Sequence, residues 1–455
     1  MVVINTPTTP DHWLPSGNPI VFTIATTDTY PRLSYIIDVY VNGAVAAQLK
    51  YPVYNSSRMD IDVRKIVNDY LDDTFVNDDI LTATNTLIYP QNETAAIYIA
   101  VREEYLAGTS MVISGILAQS KELYVWRAAA EFQDARRIWE FENDFQFDNY
   151  THYRSFFPKF LGPQIEGFDY ANNVEKSLYV GDPSFFKVRY KVSMNTVRTV
   201  SFFTYGYSAA PVGAITYEFY VWCYDKNFNR TKEFKWVNPE SNNYVIADYI
   251  RKISQFPCAP ANLNNVPWSG ITLYNSATLN YIDPSEDKYY VIFTHEGEDF
   301  YGEWGIRAIP FEIVCNQYDT YDILYKTREG GWWQIRADRK SFRETSVDTS
   351  VMYNTWGIGA QQPVPNSKRF KQTMHTNADG SITLNTDWLN SQYFIDEIED
   401  MIVSPQIYLI KEGATPEYIP VVLKDKTHKI WNKNQEKLIQ YEFEFEEAYK
   451  KATLI

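Results

Sequence analysis

Near its end the chain alternates apolar and polar positions strictly. Ile439, Tyr441, Phe443 and Phe445 fall on one side and Gln440, Glu442, Glu444 and Glu446 on the other, the pattern of a strand with one buried face. Upstream the period changes to that of a helix over Asp387–Ile402, where Phe394, Ile395, Ile398, Met401 and Ile402 recur at three- and four-residue steps. Thr386 or Asp387 is placed to cap its start, and Ser404-Pro405 to stop it. Two short apolar runs, Gln406–Ile410 and Ile419–Leu423, complete a predicted C-terminal α+β unit over residues 381–455.

The same strand period opens the chain. Ile20–Ala25 reads as a strand, and Tyr35, Ile37, Val39 and Val41 share one face of the next. Asn42-Gly43 follows at once, the pair suited to a type I′ hairpin turn because both residues take positive φ there. Val45–Tyr51 is the returning strand. Asp62 then caps a predicted helix through Val63, Ile66, Val67, Tyr70 and Leu71, and Ala95–Tyr105 is a later strand.

Roughly 180 residues on, this order recurs. Ile215, Tyr217, Phe219, Val221 and Cys223 alternate, Asp225-Lys-Asn227 turns, and Phe234–Val237 returns. Asp248 caps a predicted helix through Tyr249, Ile250, Ile253 and Phe256, and Tyr289–His295 is the later strand. Asp62-Val-Arg-Lys-Ile66 answers Asp248-Tyr-Ile-Arg-Lys-Ile253, and Trp126-Arg-Ala128 answers Trp304-Gly-Ile-Arg-Ala308. The economical reading is mainly β: tandem immunoglobulin- or fibronectin-like β-sandwich modules over residues 20–130 and 201–312. Residues 131–200 are a connecting β-rich segment. Residues 313–380 hold a hairpin, Tyr318–Tyr325 and Trp332–Ile335 about a Glu-Gly-Gly turn, and then an exposed loop over 355–380. Residues 1–19, with Pro7, Pro10, Pro15 and Pro19, form an extended N-terminal arm expected to fray or to lie across a neighbour.

Composition narrows the function. A 455-residue chain with 45% hydrophobic and 16% aromatic residues can fill several cores. Its net charge of −15 disfavours a phosphate-binding surface, so no specific nucleic-acid binding is expected. The first basic residue is Arg32, no charged segment leads an apolar one, and no apolar run is long enough for a membrane span, so synthesis in a cytoplasm is expected. Cys223, Cys258 and Cys315 are odd in number and far apart, which suggests neither a disulfide framework nor a zinc site.

Candidate chemistry is sparse. His12, His152, His295, His375 and His428 are scattered, and only His295, beside Glu296, Glu298 and Asp299, approaches a metal cluster. Asp72, Asp73, Asp78 and Asp79 crowd one loop without the spacing or glycine of an EF-hand. Nucleophile-elbow, Walker A, dinucleotide and zinc-protease motifs are absent, so no enzyme, cofactor or metal is expected. A pair of carboxylates for glycan hydrolysis can be imagined among 57 acids but not selected. The remaining ligand candidate is Trp332-Trp333, which would either stack on sugar rings or pack into a core or subunit interface.

The repeated module with its Asn-Gly hairpin, the Glu-Gly-Gly-Trp-Trp stretch, and the run Thr386-Asp-Trp388, Ser404-Pro405, Ile407-Tyr-Leu409, Val421–Leu423 and Ile439–Ala448 resemble virion structural proteins of crAss-like and related Bacteroidetes phages. The resemblance covers most of the chain from about residue 13. It implies a non-enzymatic tail protein, a barrel, hub or collar, assembled in the host cytoplasm as a homo-oligomeric ring with other tail or connector proteins. A closed ring gives each copy the same heterologous contact, which rigid β modules can supply. The alternative is a glycan- or receptor-binding module of the virion. Collagen-like triplets and fibre repeats are missing, which counts against a fibre shaft.

Overall fold

A computed structural model describes residues 2–6, 13–27, 30–53, 58–71, 93–129, 159–160, 190–203, 217–227, 229–237, 253–266, 268, 270–274, 281–295, 307–328, 330–353, 371–387, 392–413, 416–424 and 440–448. These residues are mainly β. The first strands are Val2–Asn5 (β1), Trp13–Pro15 (β2), Val21–Thr26 (β3), Ser34–Val41 (β4), Ala44–Pro52 (β5) and Arg58–Asp62 (β6). A short helix, Arg64–Asn68 (α1), precedes Thr94–Ala107 (β7), Ser110–Ile113 (β8), Ala118–Gln119 (β9) and Leu123–Trp126 (β10). They form a three-stranded sheet, β1-β3-β6, and a seven-stranded sheet whose path is β2-β10-β7-β4-β5, with β8 and β9 also on β7.

Both sheets feed one core. Phe22, Ile24 and Ile61 come from the first, and Tyr35, Ile37, Val39, Ile97, Ile99 and Val125 from the second, with Val63 and Val67 beside them. The face predicted for β4 is therefore the buried one. Asn42 and Gly43 take φ of 50° and 79°, the positive values a two-residue hairpin needs. Of the predicted N-terminal arm, Val2–Asn5 and Trp13–Pro15 are strands that pair within their own chain. β1 runs antiparallel to β3 and β2 parallel to β10, each at a sheet edge where a proline removes no ladder bond from a central strand.

The strands that follow repeat this plan. They are Lys159–Phe160 (β11), Tyr190–Val192 (β12), Thr199–Phe203 (β13), Tyr217–Tyr224 (β14), Arg230–Val237 (β15) and Ile253–Pro257 (β16). After the turn Pro260–Leu263 (α2) come Gly270–Leu273 (β17), Lys288–His295 (β18) and Arg307–Ile313 (β19). The sheets are β11-β13-β16 and β12-β19-β18-β14-β15-β17. Along the path this is the earlier order, with β17 added at one edge and, among the described residues, no counterpart of β8 or β9.

One feature of the predicted repeat is corrected in register. Ile253 and Phe256 belong to strand β16, where Phe256 pairs with Val200 and Ile253 with Phe203, while 248–252 lie outside the described residues. The helical turn follows the strand in both copies. Val63 N–H reaches Ile20 O at 3.0 Å and Cys258 N–H reaches Arg198 O at 2.8 Å, so the residues after Asp62 answer those after Pro257. A three-residue apolar step fits helix or strand end, and the β13 partner decides it. Asp62 does not cap α1, whose N-cap is Val63; its Oδ1 instead accepts the N–H groups of Arg64 (2.9 Å) and Ile20 (3.1 Å).

The chain divides into two compact units, one of Met1–Tyr190, Val197–Glu312 and Thr327–Trp333, the other of Lys191–Thr196, Ile313–Lys326 and Gln334–Ile455. The remaining strands are Tyr321–Lys326 (β20), Trp332–Ala337 (β21), Phe342–Tyr353 (β22), Lys371–Asn385 (β23), Ile407–Lys411 (β24), Glu417–Leu423 (β25) and Glu442–Glu447 (β26). They make a seven-stranded sheet, β21-β20-β24-β25-β26-β23-β22, with the helix Gln392–Ile402 (α3) inserted before β24. The C-terminal strands thus extend a sheet begun at Tyr321.

The loop expected over 355–380 is likewise corrected. From Lys371 the chain is strand β23, paired along its length with β22 in a long hairpin, and 354–370 lie outside the described residues. Polar residues dominate both strands, so no alternation marks them. In β26 the alternation holds: Tyr441, Phe443 and Phe445 are buried, while Glu442 and Glu446 are exposed. Ile395, Ile398 and Met401 are the buried stripe of α3. Thr386, a predicted cap, bridges strands instead, its N–H to Tyr441 O at 3.0 Å and its Oγ1 accepting Tyr441 N–H at 3.1 Å.

Candidate functional site

Trp332 and Trp333 follow a turn closed by Thr327, whose N–H donates to Gly331 O (2.8 Å) and whose carbonyl accepts from Gly330 N–H (3.0 Å). Gly330 holds φ of 92°, and a Cβ there would stand 2.7 Å from Arg127 O and 2.9 Å from a Trp126 ring carbon. Glycine is needed on both counts. The turn is held further by Ala129 N–H, which donates to Arg328 O at 2.8 Å.

Both tryptophans are buried, each 0% exposed. Trp332 N–H donates to Ser201 Oγ at 2.9 Å. The Trp333 ring lies under the guanidinium of Arg198, 4.2 Å from its centre, and meets Tyr190 edge-on at 5.1 Å. Arg198 also sits 4.8 Å from the Tyr190 ring and 5.7 Å from that of Phe311, which stacks on Tyr289 at 5.0 Å. A sugar stacks only on a ring face open to water; here, of the two arrangements expected for Trp332-Trp333, the rings take the packed one, in an aromatic core with a buried cation. Adjacent residues on a strand point to opposite sides; burial of both therefore means that both faces of β21 are covered here. Sequence could not reveal this, because Arg198 and Ser201 lie more than a hundred positions upstream.

Three buried polar groupings were not foreseen. Lys232 of β15 meets Asp283 at 2.6 Å and Glu286 at 2.9 Å, both from the turn before β18. Arg102 reaches Asp38 at 2.7 Å beside Gln48, whose amide donates to the same carboxylate at 2.8 Å. Around Glu412 gather the guanidinium of Arg336 (3.3 Å), the hydroxyls of Ser193 and Thr196, and the amide of Asn316. Burial pushes the Glu412 carboxyl up, but Arg336 and the two hydroxyls outweigh it and hold the group below its ordinary value. Of these only Lys232 carries a sequence signal, a charge at a position that the strand period of Phe234 and Trp236 turns inward.

The buried cysteines are poorly placed for nucleophilic chemistry. Burial pushes the Cys258 thiol up to about 12, against the pull of Arg198, and lifts Cys223 well above its usual value. Cys315 is exposed. Among the described residues no three His, Cys, Asp or Glu side chains gather to hold a metal ion. His295 ends β18 and His375 lies in β23. His12, His152, His428, Glu296, Glu298, Asp299 and the acidic run Asp72, Asp73, Asp78 and Asp79 lie outside the described residues. Among the described residues no helix is long and apolar enough to cross a membrane.

No known protein family and no curated protein matches the sequence. Among solved structures it is similar to the full extracellular region of plexin A4, at 7% identity and a TM-score of 0.16, over 100% of this chain and 40% of that one. A likeness that low carries no argument about fold or function.

Proposed function

We propose that this chain is a non-enzymatic structural component of a phage virion. In this reading it is a tail protein of tandem immunoglobulin- or fibronectin-like β-sandwich modules with a C-terminal α+β domain. It closes on its own copies as a ring, a tail barrel, hub or collar, and meets other tail or connector proteins in the virion. The observation that carries the reading is the strand order used twice, β1-β3-β6 with β2-β10-β7-β4-β5 and again in β11 to β19. Duplicated two-sheet bodies with filled cores are rigid tiles, and they give an assembly repeated surfaces without needing a reactive centre.

Two further features support it. Met111, Val112, Ile113, Ile116 and Leu117 form an exposed apolar ridge at β8, each between 38 and 57% exposed. Ridges of this kind mark contact surfaces, and in a ring the neighbouring copy would cover it. The net charge of −15 would let DNA pass a tail lumen without adhering.

The test is the mass of the purified chain by light scattering after size exclusion, with negative-stain images of the same fraction. Rings or one defined high oligomer are expected, reduced to smaller species by Ile113→Lys with Ile116→Lys. A monomer at every concentration that binds glycans on an array would overturn the reading in favour of a binding module.

A further inference from the structure

Strand β15 carries Lys232 into the interior of the second module, and its side chain is 0% exposed. Nζ has three neighbours: Asp283 Oδ2 at 2.6 Å, Glu286 Oε1 at 2.9 Å and the carbonyl of Tyr281 at 3.0 Å. Glu286 is held on both oxygens, Oε1 accepting the Thr231 hydroxyl at 3.0 Å and Oε2 the N–H of Asp283 at 2.9 Å. Asp283 Oδ1 accepts the N–H of Ser285 at 2.8 Å together with its hydroxyl. The reacting pair, an amine nitrogen and a carboxyl group, is thus clamped at contact distance from both sides.

One ammonium facing two carboxylates is an expensive set of charges to bury. Burial pushes the Glu286 carboxyl up; it acts against the charged forms of Asp283 and Lys232 too, but the hydrogen bonds and charges within the triad outweigh it and hold Asp283 below and Lys232 above its ordinary value. The ion pair is therefore the resting form, and moving one proton from Nζ to Asp283 gives the reactive one, a neutral amine against a carboxylic acid. Groups held this way react with effective molarities far above any attainable in solution.

We propose that Lys232 and Asp283 become joined by an amide bond in the folded chain, with Glu286 as the proton relay. Nζ, freed of one proton, attacks Cγ of the protonated Asp283. Glu286 gives its proton to the departing hydroxyl and takes one from the nitrogen. One C–N bond forms, one C–O bond breaks, one water leaves and Glu286 ends as it began; nothing is oxidised or reduced. Asp283 has no competing route to lose water, because Pro284 follows it and lacks the N–H that a backbone succinimide requires. The bond would staple β15 to the turn before β18. A staple in the interior suits a particle component, yet the inference stands on the triad whether or not the chain forms a ring.

The experiment is the intact mass of the full chain, purified folded and then denatured, with tandem mass spectrometry of a protease digest. Expected are a mass one water below that of the sequence and a branched peptide joining Lys232 to Asp283. Lys232→Met and Asp283→Ala should restore the full mass. So should Glu286→Gln, which keeps the shape of the relay but cannot carry the proton; its circular dichroism would confirm that it folds. The native chain at its full sequence mass would overturn the proposal, leaving a buried salt bridge. Water loss mapped to another residue would overturn it equally.

Discussion

The guanidinium of Arg198 lies 4.2 Å over the ring of Trp333, and both residues are buried. This contact makes Trp333 part of the folded core. Trp333→Ala is expected to cost about 3–5 kcal/mol through the lost contacts and the cavity left behind, seen as a lowered thermal midpoint. Glycan binding by the native chain that Trp333→Ala abolishes without lowering that midpoint would contradict the burial.

Gly43 and Gly330 both hold positive φ, but only Gly330 is crowded. A Cβ at Gly43 meets nothing within 4 Å, so Gly43→Ala should cost only the backbone strain of roughly 1–2 kcal/mol. Gly330→Ala adds contacts of 2.7 and 2.9 Å with Arg127 and Trp126, and should destabilise clearly more. Equal losses in denaturant midpoint would show that the turn yields easily.

Phe443 is fully buried on β26 while its neighbour Glu442 faces water. Phe443→Asp would bury an unpaired carboxylate at a cost of several kcal/mol, and insoluble or unfolded protein is expected. Glu442→Gln should be neutral to within about 0.5 kcal/mol. Comparing the soluble yield and thermal midpoint of the two variants checks the facing of the strand.

Glu412 is held below its ordinary value of 4.5, so the unfolded chain takes up its proton first as pH falls. Its stabilising contribution is present above that ordinary value and is lost as pH drops through the lower folded one. Glu412→Gln should lower stability at neutral pH and lose less on acidification than the native chain, read from urea midpoints. An equal deficit at every pH would mean that the carboxylate's charge is not what the cluster uses.

The cysteines should divide by burial. Cys223 and Cys258 are enclosed with thiols raised, whereas Cys315 is exposed. A thiol reagent on the folded chain is expected to label Cys315 alone, and all three in denaturant. Prompt labelling that survives Cys315→Ser would show that the sheets around Cys223 and Cys258 open readily.

The sequence by itself determined which way the strands face. Tyr35, Ile37, Val39 and Val41 alternate, as do Tyr441, Phe443 and Phe445, and a period of two survives whatever packs opposite. It also set the Asn42-Gly43 turn and the repeat, because turn chemistry and strand order are carried by residues adjacent in the chain. Tertiary structure alone decided what each face meets. It covered Trp332 and Trp333 with residues from Arg198 to Ser201, drew the polar residues 371–380 into β23 through pairing with β22, and made Ile253–Pro257 a strand because β13 lay beside it. Lys232 lies some fifty positions from Asp283 and Glu286, and the three became a buried triad for the same reason. Pairing and burial depend on partners brought together from distant parts of the chain, and no local period records them.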